Sequence, residues 1–283
     1  MVQSINRYRA PDAVGQQTNL NRLIAQQQAL VAGESRVENP SDDPQAWLEI
    51  ANISRFQSDE AAWTSNIGRA ETRASQAEAS LQAIANGLIR ARELLIQANS
   101  GITAASDREA LALEIDGIRA DFTSALNQRD NFGGPLFGSS PPIRVPISDG
   151  RTVVASPNAQ TVQDGIPIGG GASATLDQIM IATVDSIRTG GPAERAEQLT
   201  ALDGALDRIT ALLTRQGVAR STLASTREQL GESRLALATR KSELSDADVT
   251  EAITRLQTLL TNLQATQAVY SRIAQQSLFD YLG

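Results

Sequence analysis

Residues 67–98, IGRAETRASQAEASLQAIANGLIRARELLIQA, carry apolar side chains at alternating intervals of three and four residues. The spacing continues for about five heptads, which is typical of a helix that packs along its length against another helix. A helix of about 40 residues would be roughly 60 Å long, and its alanines would let a neighbour approach closely. The members of this seam are Ile67, Ala70, Ala74, Ala77, Leu81, Ile84, Leu88, Ala91, Leu95, Ala98 and Ile102.

The same spacing recurs on both sides of the middle of the chain. A break near Gly101 is followed by residues 106–109 (SDRE), which we interpret as a capping box that starts a second long helix. A similar pattern, Ser245 with Asp248, predicts a break near residue 245 and a restarted last helix. The apolar positions between these breaks are Leu111, Ile115, Ile118, Phe122 and Ala125, then Leu199, Leu202, Leu206, Ile209 and Leu213, then Leu223, Leu230, Leu237 and Leu244.

Proline and glycine are concentrated between residues 133 and 192, which hold seven of the ten prolines and ten of the twenty glycines. This segment therefore interrupts two helical halves. Residues 143–145 (IRV) and 152–154 (TVV) flank a turn signal and predict a small β-hairpin, whereas Gly169–Gly171 predicts a loop. We predict a mainly α fold: an elongated rod of long coiled-coil-like helices formed by both chain halves, with a small β/loop insertion in the middle.

The composition excludes several classes of function. The chain has no cysteine and no histidine, which removes disulfides, thiolate metal sites and the commonest catalytic base. A net charge of −7 argues against general nucleic-acid binding. The start lacks the apolar run of a secretory signal, and no stretch approaches the ~18 apolar residues of a membrane span. Since nucleophile motifs and phosphate loops are missing too, we expect no enzyme, no catalytic residues, no cofactor and no metal. A hydrolase with paired carboxylates is a remote alternative.

The most distinctive short motif is residues 39–44 (NPSDDP). It predicts a turn into a helix, because Asp43 can cap the helix and Pro44 fits its first position. The alternative, a Ca²⁺ or Mg²⁺ site, lacks the alternating ligand spacing and the glycine of a calcium loop. Downstream, we interpret Trp47, Ile50 and Phe56 as packing residues.

Three basic residues follow the leucine heptads near the end of the rod: Arg227, Arg234 and Lys241. They are compatible with an acidic neighbouring subunit. They are equally compatible with a solvated helix face, which is the more common fate of surface charge. The sequence leaves both interpretations open.

An apolar stripe runs almost to the end of the chain. Large apolar side chains at a terminus need a partner, so we predict an assembly surface that stays unpaired until neighbouring subunits bind. The predicted assembly interface consists of Leu20, Leu23, Ile24, Val249, Ile253, Leu256, Leu260, Leu263, Tyr270, Ile273, Leu278, Phe279, Tyr281 and Leu282.

Several strings resemble the flagellin superfamily. Residues 31–44 (VAGESRVENPSDDP) are similar to its N-terminal signature, and residues 90–99 (RARELLIQAN) are similar to its conserved helix. The resemblance covers nearly the whole chain except the insert. Further strings resemble the junction-protein branch of the superfamily more closely than they resemble flagellins. These strings are 127–129 (NQR), 136–138 (LFG), 246–253 (DADVTEAI), 263–265 (LQA) and 277–282 (SLFDYL).

The resemblance implies a structural protein of the bacterial flagellum that joins the hook, through the other hook-associated protein, to the flagellin filament. It implies unfolded export by the flagellar type III apparatus and a final extracellular location at the hook–filament junction. The implied partners are lateral copies of the chain, flagellin, the other junction protein, an export chaperone and the flagellar export gate. Nucleic acid and membrane insertion are not implied.

In that family the two chain ends pair as an inner helical tube and the middle helices form a rod. The corresponding domains here are 1–40 with 249–283 for the inner assembly domain, 41–140 with 175–248 for the helical rod, and 141–174 for a short outer insertion. We expect this insertion to be the most dispensable part, because its proline, glycine and polar content offers little core.

The N-terminal segment departs from the family pattern, since Pro11 and Gly15 interrupt what the resemblance implies is a continuous helix. We therefore expect the first helix to begin at Asp12. Two other functions remain open. One is a short flagellin that forms the filament itself, and the other is a cytoplasmic coiled-coil adaptor, which would explain the heptads without the apolar termini.

Overall fold

The computed structural model describes the backbone of residues 9–33, 35–100, 104–138 and 141–282, and the side chains of these residues other than 9–14, 270 and 273–282. The described residues form seven helices and four short strands. The helices are α1 (Arg9–Val31), α2 (Pro44–Ala98), α3 (Ala105–Leu126), α4 (Ala159–Gln163), α5 (Leu176–Arg188), α6 (Pro192–Ser245) and α7 (Val249–Leu282), and the strands are β1 (Arg144–Ser148), β2 (Arg151–Val154), β3 (Ile166–Gly169) and β4 (Ala172–Ala174).

This architecture confirms the mainly α prediction, with long helices from both chain halves and a small β-containing insertion. The chain divides into two compact units, and α2 and α6 each have residues in both. Unit 1 comprises Met1–Gln57 and Arg234–Gly283, and unit 2 comprises Ser58–Ser233. The domain boundaries expected from the resemblance remain a prediction.

The seam that begins at Ile67 forms the core of unit 2. Every described member of the seam, from Ile67 to Ala98, is almost fully buried. Ile102 and Gly101 lie outside the described residues. Helix α2 is longer than the roughly 40 residues expected for one helix, because Ala46 and Ile53 extend the buried heptad positions towards its N-terminus. Helices α3, α5 and α6 pack around the second half of α2 and contribute Ile115, Met180 and Leu202 to one continuous cluster.

The insertion contributes buried side chains to the core of unit 2, so the premise that it offers little core is wrong. Strands β1 and β2 form the predicted hairpin, which turns at Gly150 and places Ile147 and Val153 against Ile67 of α2 and Leu223 of α6. Val162 and Ile166, also from the insertion, are buried in the main cluster. The apolar content of the insertion is low, but its buried members are Ile147, Val153, Ala155, Val162 and Ile166.

The predicted loop at Gly169–Gly171 is the turn of a second hairpin. These three glycines have φ values of +96°, +59° and +79°, so they form the turn between β3 and β4 in a conformation that other residues rarely adopt. Strand β4 is followed directly by α5, whose capping box pairs Thr175 with Gln178. The loop prediction is confirmed at Gly170 and Gly171, but the strands on either side were not predicted, because they are too short to show an alternating pattern.

Two helix starts differ from the predicted caps. Helix α3 begins at Ala105 with Ala104 as its N-cap residue and no side-chain cap, and the Ser106 hydroxyl donates to Asp107 instead. The described part of α1 already begins at Arg9, ahead of the expected Asp12. Pro11 is tolerated there because the amides of the first helical turn have no partner within the helix.

The interpretation of Trp47 and Phe56 as packing residues is also wrong. Both side chains are exposed, while Ile50 is half-buried. This part of α2 packs along only one narrow side, which Ala46 and Ile53 occupy. Phe56 instead lies under the guanidinium group of Arg55, 5.4 Å from its ring centre.

Candidate assembly interface

The N-terminal signature motif is a tight loop whose carboxylates bind its own backbone. Asp42 Oδ2 accepts hydrogen bonds from the amides of Glu38 and Asn39, at 3.2 and 2.8 Å. Asp43 Oδ1 accepts from the amide of Ala46 at 3.0 Å and caps α2, as predicted. This hydrogen bond is the main reason that the pKa of Asp43 lies below its ordinary value, and Arg36 contributes further. The two carboxylates therefore have structural partners, which supports the turn interpretation over a cation site.

The same loop binds the C-terminal end of α6. The Arg36 amide donates to the Ser245 carbonyl at 2.7 Å, and the Arg36 guanidinium donates to the Leu244 carbonyl at 3.0 Å. The Ser35 hydroxyl also donates to the Ser245 carbonyl. The last carbonyls of a helix have no partner within it, so this loop caps α6. The sequence did not show this role of Arg36, since the signature motif marks the loop but not its partner, which is 208 residues away along the chain.

Helix α7 starts immediately after this capped end. Its N-cap residue is Asp248, whose Oδ1 accepts from the amides of Thr250 and Glu251 at 2.9 and 3.1 Å. The predicted break near residue 245 is confirmed, but Ser245 is the last residue of α6 and does not cap α7. The short connection 246–248 and the 35–43 loop together hold the start of α7 in place.

Helices α1 and α7 pack against each other within unit 1. Ile24 of α1 and Ala252 of α7 are buried, and Leu20, Leu23, Leu256 and Leu263 are half-buried. The described part of the C-terminal stripe therefore has an intramolecular partner, so the expectation that this helix stays unpaired before assembly is wrong for these residues. Ala252 was missed because a single small residue is weaker as a signal than the leucines around it.

Helix α1 covers only part of the apolar face of α7. Val249, Ile253 and Leu260 lie on one side of this face and are exposed, with 40% of Ile253 accessible. On another side, a groove of about 320 Å³ is lined by Leu23 of α1 and Leu259 of α7 with polar neighbours. Predicted interface residues thus lie both in the α1–α7 contact and on a free surface beside it. The side chains of Tyr270, Ile273, Leu278, Phe279, Tyr281 and Leu282 lie outside the described residues.

The basic series near the end of α6 contacts the chain's own α2. Arg227 Nη2 lies 2.7 Å from Glu71 Oε2, and Lys241 Nζ donates to Ser54 Oγ at 3.1 Å. Arg234 is exposed. A further residue of this helix, Arg240, hydrogen-bonds Glu49 of α2, and this bond is the main cause of its raised pKa. Most of these basic groups therefore join the two helices.

Within the described part of the chain, no group of three or more acidic side chains is arranged to hold a metal ion. In the same residues, no helix is both long enough and apolar enough to cross a membrane. The exposed strip of Val249, Ile253 and Leu260 is an apolar surface of the sort that binds other proteins.

Part of this chain is similar to the flagellin superfamily. Residues 199–282 match the family of bacterial flagellin C-terminal helical regions. These residues include most of α6 and all of α7, so the match covers the capped helix junction and the helix that packs on α1. The resemblance to the superfamily is confirmed.

More specific similarity is to hook-associated proteins of this kind. Flagellar hook-associated protein 3 of Escherichia coli (strain K12) is 23% identical over 280 residues, which cover 86% of this chain and 88% of that protein. The protein of the same name from Salmonella typhimurium has the same identity and coverage.

Solved structures share the fold. The crystal structure of flagellar hook-associated protein-3 from Legionella pneumophila aligns with a TM-score of 0.64 at 13% identity, over 69% of this chain and 98% of that one. Bacillus cereus FlgL aligns with a TM-score of 0.55 at 18% identity, over 66% and 96%.

Proposed function

We propose that this chain is a structural component of the bacterial flagellum, an FlgL-type junction protein that connects the other hook-associated protein to the flagellin filament. The observation that carries the proposal is its similarity to flagellar hook-associated protein 3 along 86% of its length. The match is not confined to one helical segment, which a general coiled-coil likeness would produce. The role is structural and not catalytic.

The terminal helices supply the assembly surface in this proposal. Helices α1 and α7 bring the two chain ends together, and Val249, Ile253 and Leu260 leave an apolar strip uncovered beside them. A large apolar side chain that becomes fully buried contributes on the order of 1.5–3 kcal/mol. The exposed parts of these three side chains, repeated on each copy, would add part of that amount each to a lateral contact between neighbours.

The terminal residues Leu278, Phe279, Tyr281 and Leu282 extend this surface towards neighbouring subunits. The chain then reaches its site by unfolded type III export, helped by an export chaperone, and resides outside the cell at the hook–filament junction. Its neighbours there are other copies of itself, flagellin and the second hook-associated protein.

The test is deletion of the gene followed by complementation in the source bacterium. We expect the deletion strain to secrete flagellin into the medium without attached filaments, and we expect the intact chain to restore filaments and swimming. A tagged version of the chain should be found at one position in each flagellum, at the base of the filament. Normal filaments in the deletion strain, or a tagged chain confined to the cytoplasm, would contradict the proposal.

The second candidate is a short flagellin that forms the filament itself. The match of residues 199–282 to the flagellin C-terminal region favours this candidate, because filament proteins share that region. The amount of protein separates the two. A filament protein would dominate sheared flagella and label the whole filament, whereas a junction protein would be scarce and label one end.

A further inference from the structure

The loop between α3 and the insertion presents one aromatic side chain to solvent on a rigid support. Phe132 is 73% exposed, although its backbone is tightly held. The Phe132 and Gly134 amides both donate to Asp130 Oδ1 at 2.9 Å. Asp130 Oδ2 in turn accepts from Arg73 Nη1 at 2.5 Å. An exposed ring on a braced loop loses little conformational entropy when it binds, which favours it as an interface anchor.

One guanidinium group lies over this ring, and a second is bound to the backbone of the same loop. Arg69 of α2 lies over Phe132, 5.9 Å from the ring centre, and Arg129 donates to the Gly133 carbonyl at 2.6 Å. Both arginines are exposed, and neither forms an ion pair within the described residues. We call Phe132, Arg69 and Arg129 the Phe132 knob. Its chemistry fits a partner with an apolar recess and a negative charge at the rim.

A recess with these properties lies elsewhere in the same unit. The groove between α5, α6 and the β3–β4 hairpin has a volume of about 610 Å³ and an apolar lining that includes Ile168, Ile179 and Ala182. Its one acidic lining residue is Glu197, which is exposed and has no ion-pair partner in the described part of the chain. We call this the α5–α6 groove. It is large enough for a phenyl ring, and its charge is opposite to that of the knob.

The knob of one molecule lies too far from its own groove to fill it. Asn131 beside the knob lines a surface with Gly217 and Ser221 of α6, whereas the α5–α6 groove lies at Glu197 and Ala201 of the same helix. About 20 residues of helix separate the two sites, which is roughly 30 Å. A contact between them must therefore join two molecules, and since the two surfaces differ, the contact is head-to-tail.

We infer that the Phe132 knob of one copy docks into the α5–α6 groove of a second copy, with Arg69 and Arg129 facing Glu197. This contact rests on the proposed function, in which copies of the chain assemble side by side, and it names the residues of one lateral interface. A head-to-tail contact repeats from copy to copy and so closes a ring or extends a layer. It acts in addition to the terminal helices.

Single cysteines test the contact directly, because the natural chain has none. Purified full-length Asn131→Cys and Gln198→Cys proteins, carrying tags of different size, are mixed at high concentration and treated with a short bismaleimide. We expect the mixed dimer to exceed either homodimer several-fold. Phe132→Ala in the first protein should reduce the mixed dimer about tenfold or more, as for loss of an anchor residue. Its melting temperature should not change, since the side chain is exposed.

A charge exchange identifies the groove as the receptor. Arg69→Glu in one protein should weaken cross-linking, and Glu197→Arg in the other should restore it. No excess of mixed dimer, no effect of Phe132→Ala, or no rescue by Glu197→Arg would overturn the inference. These mixtures contain only purified protein, so their outcome does not depend on where the chain resides in the cell. Failure of the junction role would instead appear in the deletion strain.

Discussion

Arg73 of α2 and Asp130 of the following loop form the least exposed ion pair among the described residues, with 16% and 9% of their side chains accessible and 2.5 Å between Nη1 and Oδ2. Arg73 also donates to the Ser156 hydroxyl and to the carbonyls of Pro135 and Leu136. One guanidinium group thus ties the loop after α3 and the end of the first hairpin to the central helix. Its planar set of donors suits several acceptors at once.

Replacement of Arg73 should destabilise unit 2 strongly. Arg73→Ala leaves the buried Asp130 carboxylate without its cation, which typically costs about 3–5 kcal/mol. Arg73→Lys keeps the charge but loses the forked geometry, so we expect an intermediate loss. Urea unfolding followed by circular dichroism measures both. Arg220→Ala is the matched control, because its pair with Glu78 is half-exposed and should contribute at most about 1 kcal/mol. Equal losses for Arg73 and Arg220 would contradict this account.

The first hairpin should be needed for the stability of unit 2. Ile147 is 1% exposed and packs with the residues of α2 and α6, so Ile147→Ala should cost about 2–5 kcal/mol. Ile143, four residues earlier, is 61% exposed, and Ile143→Ala should change stability by less than about 0.5 kcal/mol. Thermal melting of the two variants distinguishes them. If both variants melt like the parent chain, the hairpin does not contribute to the stability of unit 2.

The helical core could be predicted from the sequence because its signal is long. Ten seam positions from Ile67 to Ala98 follow one period, and all are buried. The turn at Asp43 and Pro44 was also predictable, since both residues act on their immediate neighbours. Features of this kind depend on local chemistry or on a repeated pattern.

Other features depend on partners distant in sequence. The Arg73 hydrogen bonds, the Arg36 cap on α6 and the exposure of Trp47 follow from where separate elements meet. The contribution of the insertion to the core was underestimated for the same reason. Its few apolar residues are buried by the helices they contact, and the sequence does not show those contacts. At the candidate interface, the sequence showed the apolar stripe of α7. It did not show which residues of that stripe pack against α1.

Gly204 of α6 is required by a close approach of the second hairpin. A Cβ atom at this position would lie 2.3 Å from the Pro167 carbonyl oxygen, which is backbone and cannot easily move. Gly204→Ala should therefore destabilise the protein by about 1–3 kcal/mol. Gly217→Ala, in the same helix but with free space around it, should stabilise by about 0.5–1 kcal/mol. Differential scanning calorimetry of both variants checks the contrast, and a Gly204→Ala protein that melts higher than its parent would refute it.

The Asp43 cap should make the stability of unit 1 depend on pH in the acid range. Because the folded pKa is lowered below the ordinary value of 3.8, the charged cap stabilises the fold at all pH values above that. This contribution is lost as pH falls below 3.8 and through the folded pKa. Asp43→Asn keeps a capping side chain without the charge. The melting temperatures of the two proteins should differ above pH 5 and converge towards pH 2. A constant difference at every pH would show that the carboxylate charge plays no part.

The exposed strip on α7 should matter for assembly and not for folding of the single chain. Ile253→Ser removes a large apolar side chain that is 40% exposed in the monomer, so the melting temperature should change by only a few degrees. In an assembled layer the part of Ile253 that is exposed in the single chain would be buried too, so its loss costs the assembly roughly 0.6–1.2 kcal/mol for each copy. Ile24→Ala is the opposite control, because Ile24 is already buried in the single chain. It should lower the stability of the α1–α7 pair.

The measurement compares the melting of each purified chain with the number of filaments attached to cells that express it at normal levels. Ile253→Ser cells should shed filaments although the protein is stable and exported. Leu48→Ser, which changes an exposed leucine on α2 outside the proposed interface, should leave filaments attached. Firmly attached filaments in Ile253→Ser cells would remove the α7 strip from the assembly surface, whereas a large fall in monomer melting would assign Ile253 to the core of unit 1.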